Sequence, residues 1–424
     1  MDCCVRGAWV LILCAACISH SHGADWPRWR GTAADGNSTE TGLLAEWPQD
    51  GPQRLWQVEG LGNGYGSLSV VNNRIYVMGR RNKTDYLSCR NVDDGSSIWE
   101  TAIGPGSQEN GPNGTPTVDG DRVYGISIAG DLLCADAQTG REIWRVNFER
   151  DFGGKMMSVW GFSESPLIDG DKLICTPGGE QAVMVALNKA TGKLIWRATL
   201  TGNPQRGQSG AGYSSAVIST AGGVRQYVQL LGRGVIGVEA NTGKMLWGYD
   251  RIANTTANCP TPVVSGDYVL VSTGYGDGGT ALLEIKGSRG RVTPREVWYK
   301  PANELQNHHG QMILLGDQVY LGHGHNNGFP TCIDLKTGRS RWGKQRGAGR
   351  ESAAVAYADG HFYFRYQDGT LALVDANPSA YKLKSSFQED FGDGPRWAHP
   401  VIANGKLYLR TNGILCCYDV RAGR

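Results

Sequence analysis

The feature that most constrains this chain is a tryptophan that returns at almost constant spacing after a short turn. An acid or amide lies four residues before a glycine, and the tryptophan lies four residues after it, as in Asp136, Gly140 and Trp144. The acid or amide can cap the turn, the glycine takes a left-handed backbone conformation, and the indole packs against the next unit. Six tryptophans end such units at intervals of 45, 52, 51, 51 and 44 residues: Trp99, Trp144, Trp196, Trp247, Trp298 and Trp342.

Each unit contains four short apolar runs separated by turns, and glycine accounts for 61 of the 424 residues. Turns this short join neighbouring antiparallel strands, so each unit is predicted to be one antiparallel sheet of four strands. Such a sheet has two apolar faces, which are buried when the units stack radially. The first turn of the unit occurs eight times, at Asn72-Asn73, Gly120, Gly170, Gly222-Gly223, Gly266, Gly316, Gly360 and Gly405. We therefore predict an all-β fold, an eight-bladed β-propeller of four-stranded antiparallel blades.

The two ends of the chain predict how the ring closes. The eighth unit reaches Asp419 and Gly423, and the sequence ends at Arg424 before an outer strand or tryptophan. A segment around Trp56 has the missing pattern, without three strands before it. We therefore predict that the N-terminal segment, residues 25–60, completes the last blade and removes free sheet edges. In the seventh unit Leu383 stands where a tryptophan is expected, so this blade is predicted to lack its indole.

The turn-plus-tryptophan signature resembles the tryptophan-docking motif of pyrroloquinoline-quinone (PQQ) repeat proteins. The segments DWPRWRG, DGNSTETGLL and LGNGYGS resemble secreted bacterial proteins of the same class. The resemblance covers essentially the whole chain after residue 24 and implies the propeller fold. It leaves two functions open, because the family includes both dehydrogenases and scaffolds such as the outer-membrane-protein assembly propeller.

The N-terminus predicts export. Arg6 precedes an apolar run from Ala8 to Ile18, and small and polar residues follow as far as Ala24, so residues 1–24 are interpreted as a signal peptide. Residues 25–424 are then a single propeller domain in the periplasm or secreted. Lipoprotein anchoring at Cys17 is the less favoured alternative. No later segment is long and apolar enough to span a membrane. The net charge of +2 argues against a nucleic-acid partner.

Residues just before the innermost strand of each blade are predicted to converge at one mouth of the central channel. These candidate ligand- or cofactor-binding residues are Tyr65, Asn113, Trp160, Tyr213, Asn258, His308, His309, Arg350, Glu351, Trp397 and His399. Their aromatic rings, amides, imidazoles and one guanidinium suit a planar, anionic or sugar-like ligand. The alternative is that they line a water-filled shaft.

The resemblance raises a PQQ- and calcium-dependent site at this mouth. Trp160 or Trp397 would stack on the quinone, Arg350 would bind its carboxylates, and Asn258 with Glu351 would hold calcium. No aspartate occupies a mouth position, and the chain lacks the insertions that cover the cofactor in the enzymes. We therefore predict a binding or scaffold module for a small-molecule or protein ligand, with no catalytic residues assigned. The alternative is an alcohol or sugar dehydrogenase. A polysaccharide-processing propeller is disfavoured by the lack of paired carboxylates.

Cysteines and histidines suggest two further sites that the sequence does not favour. Family dehydrogenases often have a disulfide between adjacent cysteines, and Cys416 precedes Cys417 here. However, Cys417 occupies the same repeat position as three other single cysteines, before the turn, where a small buried residue is expected. His323 and His325 come close in sequence to the mouth histidines, and a transition-metal site is less favoured than ordinary loop histidines.

Overall fold

The computed structural model describes Met1 and residues 24–106, 111–202, 205–288 and 290–423. Nearly all of the predicted signal peptide therefore lies outside the described residues. The remainder forms eight separate antiparallel sheets, seven of four strands and one of three. The prediction of an all-β, eight-bladed propeller is confirmed. Among the described residues, no helix has the length and apolarity that a membrane span requires.

The strands follow each other blade by blade, except that the first strand belongs to the last blade. That strand is β1 (Arg54–Val58). Blade one contains β2 (Ser69–Val71), β3 (Arg74–Arg81), β4 (Thr84–Asn91) and β5 (Ser97–Pro105). Blade two contains β6 (Thr117–Asp119), β7 (Arg122–Ile126), β8 (Asp131–Asp136) and β9 (Glu142–Asn147). Blade three contains β10 (Leu167–Asp169), β11 (Lys172–Cys175), β12 (Met184–Asn188) and β13 (Leu194–Ala198). The only α-helix of the described chain, α1 (Phe148–Phe152), follows β9.

Blade four contains β14 (Val217–Ser219), β15 (Gln226–Leu231), β16 (Gly234–Glu239) and β17 (Met245–Tyr249). Blade five contains β18 (Val263–Ser265), β19 (Tyr268–Ser272), β20 (Gly279–Ser288) and β21 (Arg291–Pro301). Blade six contains β22 (Asn307–Leu315), β23 (Gln318–His323) and β24 (Phe329–Asp334). Blades seven and eight contain β25 (Ala353–Ala358), β26 (His361–Tyr366), β27 (Thr370–Asp375) and β28 (Leu383–Gln388); β29 (Val401–Ala403), β30 (Lys406–Thr411) and β31 (Ile414–Asp419). A short 3₁₀ turn, Ala221–Gly223, joins β14 to β15.

In the sixth blade the fourth strand is reduced to one bridge, between Ile333 and Ser340. Three glycines occur among residues 343–349, directly after its tryptophan, and glycine weakens a strand. The indole of Trp342 keeps its buried position, with 6% of the residue exposed. The periodic tryptophan is therefore retained where the regular outer strand is not.

The tryptophans hold neighbouring blades together through one repeated contact. Six indole Nε1–H groups donate to a backbone carbonyl beside the turn of the following blade, at 2.7 to 3.2 Å: Trp56 to Val92, Trp99 to Ala137, Trp144 to Lys189, Trp196 to Ala240, Trp298 to Leu335 and Trp342 to Asn377. The turn glycine lies against the ring. A Cβ added at Gly140, where φ is 73°, would lie 2.5 Å from Trp99. Trp247 differs, because its Nε1 donates to Gln226 within its own blade.

The last blade closes as predicted. Strand β1 pairs antiparallel with β31, and Trp56 lies opposite Cys417. The eighth sheet therefore has the order β1-β31-β30-β29 and joins both ends of the chain. The seven cysteines from Cys89 to Cys417 are free thiols, and Cys417 lies in a regular strand between Trp56 and Tyr408.

The N-terminal segment also supplies the contact that the seventh blade lacks. Leu383 is 41% exposed and does not take the place of an indole. The carbonyl of Val420 corresponds to the indole acceptors of other blades, and it accepts the backbone N–H of Leu44 at 2.8 Å instead. The nearby Trp47 is buried against Tyr363 and Phe387, with ring centroids 5.6 and 5.4 Å apart. Trp47 thus fills the space between blades seven and eight.

Residues 25–40 occupy the central channel, which the sequence did not predict. The segment begins and ends beside first turns of blades, where Asp25 accepts the N–H of Asn72 and Glu40 accepts those of Asn404 and Gly405. Between these points it contacts the inner strands, and Trp29 reaches furthest, donating to Thr261 just before β18. We call residues 25–40 the channel segment.

Candidate functional site

A cavity of about 220 Å³ lies at the channel mouth where the inner strands begin. Trp29 of the channel segment is part of its lining. Eight of the eleven candidate residues line this cavity: Tyr65, Asn113, Trp160, Tyr213, His308, His309, Trp397 and His399. The inner strands thus bring together side chains that are more than 300 residues apart. We call this cavity the funnel cavity.

The other three candidates lie elsewhere. Asn258 is fully buried, and its amide donates to the backbone carbonyls of Leu231 and Gly232. The Arg350 side chain is 82% exposed, and its backbone N–H bonds Asp368. Glu351 has a left-handed φ of 66°, and it is the next residue, Ser352, that contacts a cavity histidine. The predicted guanidinium and carboxylate are therefore absent from the cavity lining.

Aromatic rings contact one another around the cavity wall. The ring centroids of Tyr65 and Trp397 are 4.6 Å apart, and His309 lies 5.1 Å from Trp397 on its other side. Across the cavity mouth, Trp160 meets Tyr213 edge to face at 5.8 Å. These contacts orient the rings and leave faces available for stacking.

The cavity histidines are uncharged. Burial, together with the neighbouring imidazoles, lowers the pKa of His308 to about 2 and that of His309 to about 3. Burial likewise lowers the pKa of His399 to about 4. His308 Nδ1 bonds the Ser352 hydroxyl at 2.6 Å, and His399 Nε2 lies 3.0 Å from the His309 carbonyl oxygen. The Nε2 atoms of His308 and His309 are buried without a partner in the described residues.

Close to the aromatic rings, polar side chains join neighbouring blades by hydrogen bonds just before their inner strands begin. The Thr115 N–H donates to Ser165 Oγ at 2.8 Å, and the Ser165 N–H donates to Ser215 Oγ at 2.9 Å. On the opposite side, the Thr261 N–H donates to Gln311 Oε1 at 2.7 Å. These bonds join neighbouring blades 50 residues apart in sequence and make the cavity wall rigid.

The cavity lining does not fit PQQ with calcium. It contains no aspartate, glutamate, lysine or arginine, so nothing in it neutralises the quinone carboxylates or supplies an anionic calcium ligand. Within the described ranges, no group of three or more His, Cys, Asp or Glu residues could hold a metal ion. His323 Nδ1 accepts the N–H of Gln306, and His325 stacks on Tyr275 at 4.7 Å.

Sequence reasoning missed Trp29, Tyr275 and Cys259 in the lining. Tyr275 lies between the second and third strands of its blade, and those turns reach the same mouth as the starts of the inner strands. Because successive strands run in opposite directions, the turn after the second strand could have been counted among the mouth positions, and Tyr275 would then have been found. Trp29 belongs to the channel segment, which has no counterpart in the repeat.

The ring of eight sheets and its aromatic funnel define a PQQ-repeat propeller. The sequence model described as "Outer membrane protein assembly factor BamB" matches residues 83–344, more than half of the chain. This chain belongs to that family.

Among curated proteins, an outer membrane protein assembly factor BamB from Moranella endobia is 24% identical over 69% of this chain and 71% of its own length. The protein of the same name from Shewanella oneidensis is 22% identical over 58% of this chain and 60% of its own length. The chain thus spans about two thirds of these relatives.

Two solved structures show the same fold. BamB from Moraxella catarrhalis superposes with a TM-score of 0.61 at 14% identity, covering 88% of this chain and 98% of that one. Quinohemoprotein alcohol dehydrogenase from Comamonas testosteroni gives a TM-score of 0.66 at 14% identity, covering 94% of this chain and 81% of that one. Because both kinds of protein share the architecture, the fold alone does not separate binding from catalysis.

Proposed function

We propose that this chain is an exported scaffold propeller that holds a partner protein at its funnel face. The observation that carries the proposal is the funnel cavity itself, an uncharged site lined by aromatic rings. Family membership supports it, since the relatives are named as assembly factors for outer membrane proteins. By this analogy the chain acts outside the cytoplasm, with residues 1–24 serving as the signal peptide.

The rim of the funnel cavity has the composition of a protein-binding surface. Val159 is 66% exposed, and the next residue, Trp160, is 36% exposed and contacts Tyr213. Exposed apolar side chains next to a pocket mark interaction sites, and tryptophan and tyrosine dominate the energetic centres of interfaces. A volume of about 220 Å³ is below the 300–1,000 Å³ usual for small-molecule sites. The cavity therefore suits an inserted side chain of a partner better than a cofactor.

The second candidate, a quinone-dependent dehydrogenase, rests on the shared fold. It requires a cation for the quinone carboxylates, and Arg350, the one candidate cation, lies outside the cavity. The resemblance also calls for an acidic general base, and the lining contains no carboxylate. The binding proposal needs neither group.

The test is site-specific cross-linking in cells of the native host. A photoreactive residue at Val159 is expected to yield a discrete adduct with one envelope protein, and Trp160→Ala should abolish that adduct while leaving the protein folded. A photoreactive residue at Ile195, an equally apolar and 45% exposed position on the outer strand β13, is the matched control. Adducts from Ile195 but not from Val159, or adducts indifferent to Trp160→Ala, would contradict the proposal.

A further inference from the structure

The channel segment covers the inner strands of some blades and leaves others uncovered. Val70, in the middle of β2, exchanges two backbone hydrogen bonds with Trp26 at 2.7 and 2.9 Å. The Val118 N–H donates to Pro27, and Tyr357 bonds both Gly36 and Ser38. Each of these middle residues forms a non-hydrogen-bonded pair with the second strand of its blade, so both its N–H and its C=O point away from that strand and into the channel.

The corresponding residues of blades three and five are Ile168 and Val264. They have the same register as Val70 and Val118, one residue before the pair that closes a two-residue turn. Their N–H and C=O groups therefore also point into the channel, and neither has a backbone partner among the described residues. A second cavity, of about 290 Å³, lies here, with Val264, Leu167 and Ile218 in its lining. We call it the channel cavity.

Two guanidinium groups of the channel segment, those of Arg28 and Arg30, also line the channel cavity. Arg28 donates to the carbonyl of Thr32, and Arg30 donates to the carbonyls of Asp35 and Met312. Their Nε atoms are buried without an acceptor in the described residues, and Arg30 is only 4% exposed. Within the described residues, neither guanidinium group forms an ion pair with a carboxylate.

The nearby carboxylates are already occupied. Asp35 accepts two hydrogen bonds from Asn37, each of 3.0 Å. Asp119 and Asp169 lie near enough to Arg28 to favour its charge, but they pair with Lys189 and Arg225 at 2.5 and 2.6 Å. Asp35 also lines the channel cavity, but its side chain bonds Asn37 and not a guanidinium, so the lining has two cations against one carboxylate and an excess of one positive charge.

A buried guanidinium without a counter-charge is costly. Burial lowers the pKa of Arg30 to about 10, although Asp35 opposes that shift. Arg365, which is also buried, shows the usual solution, since it binds both oxygens of Glu389 at 2.6 and 2.7 Å. The channel guanidiniums lack such a partner within the described chain.

We propose that the channel cavity binds a small oxyanion, a carboxylate or phosphate group, between Arg28, Arg30 and the free strand N–H groups. Guanidinium groups bind planar and tetrahedral oxyanions through paired hydrogen bonds, and free N–H groups in a concave site add donors. Exposed Ala33 is part of the lining, so the cavity reaches solvent there. The lining of this site shares no residue with that of the funnel cavity, and the proposal does not depend on the proposed partner binding.

Calorimetric titration of the exported chain at low ionic strength tests the proposal, with inorganic phosphate and succinate as separate probes. One probe is expected to bind with one-to-one stoichiometry, and the tighter probe identifies the anion class. Arg28→Gln should weaken its binding about tenfold or more, because a charge-assisted hydrogen bond is lost. Arg350→Gln, an exposed cation at the other mouth, should leave the affinity unchanged.

Thermal unfolding gives a second readout that does not depend on binding heat. The bound anion should raise the midpoint temperature of unfolding of the unmodified chain and of Arg350→Gln. It should raise the midpoint temperature of Arg28→Gln much less. Absence of saturable binding by both probes, or equal affinity in Arg28→Gln, would show that water alone fills the cavity and would overturn the proposal.

Discussion

At the scale of single residues, the indoles between blades combine a large buried apolar ring with one satisfied polar atom. Trp144 and Trp196 are 9% and 7% exposed, and each donates to the next blade. Removing such a ring leaves a cavity at the blade interface and an unpaired carbonyl. This explains why the tryptophan recurs in blades whose other positions differ.

Trp144→Ala and Trp196→Ala should each lower the free energy of unfolding by about 3–5 kcal/mol. Leu383→Ala should lower it by about 0.5 kcal/mol or less, because Leu383 is on the surface. Chemical denaturation of the three variants measures these differences. Similar losses at all three positions would mean that the repeated contact has been misassigned.

Glu164 is a buried carboxyl whose protonation couples to folding. It accepts the backbone N–H of Thr176 and the amide of Gln229. Burial raises its pKa to about 8, which outweighs those hydrogen bonds. Between the unfolded value near 4.5 and the folded value near 8 the folded state therefore binds the extra proton, so stability declines as pH rises through this range.

We expect the free energy of unfolding to fall as the pH rises from about 7.5 to 8, because the histidines of the unfolded chain, whose ordinary pKa is 6.5, are by then largely deprotonated and Glu164 still binds its proton in the folded state. Glu164→Gln should remove much of that fall, because the amide resembles the protonated acid and does not ionise. Urea denaturation at several pH values measures both slopes. An identical pH dependence in the two proteins would rule out Glu164 as its source.

At the scale of elements, the N-terminal segment has three separate structural roles. Strand β1 closes the last sheet, Leu44 and Trp47 replace the indole contact of the seventh blade, and residues 25–40 occupy the channel. Each role supplies hydrogen-bond partners or apolar contacts that the eight repeats do not provide for themselves. The N-terminal segment therefore completes the ring at the places where the repeated contacts are missing.

Deleting residues 25–60 should cause aggregation, because β31 would become a free sheet edge and the channel would open. Deletion of residues 1–24 alone is the control and should leave a monomer. Size-exclusion chromatography and thermal melting distinguish the two proteins. A monomeric deletion variant with an unchanged melting temperature would contradict the closure of the last blade by β1.

These elements also show what the sequence could and could not predict. The blade number and the pairing of Trp56 with the last blade followed from a strict period, because a repeated unit must repeat its contacts. The channel segment was missed for two reasons. Its sequence, which begins with DWPRWRG, has no period, and the partners of the whole segment lie on six different blades. Arg350 and Glu351 were wrongly predicted to line the cavity. Glu351 has a left-handed backbone conformation, which changes the direction of the loop before β25, and the number of residues in the loop does not reveal this change.

At the scale of the whole molecule, the propeller presents two different cavities along one axis. The funnel cavity is aromatic and uncharged, whereas the channel cavity is lined by two guanidinium groups and one carboxylate, and the two linings share no residue. One architecture thus supports a surface for a partner and a separate site for an anion.

The central claim is that the funnel cavity is a binding site for a partner and not a quinone site. Titration of the purified chain with PQQ and calcium tests it most directly, with dye reduction measured in the presence of alcohols and sugars. We expect no stoichiometric uptake and no reduction, because the lining has no charged group for the carboxylates or the metal ion. Tight stoichiometric uptake that Trp160→Ala and Trp397→Ala weaken would place the quinone in the funnel and contradict the account.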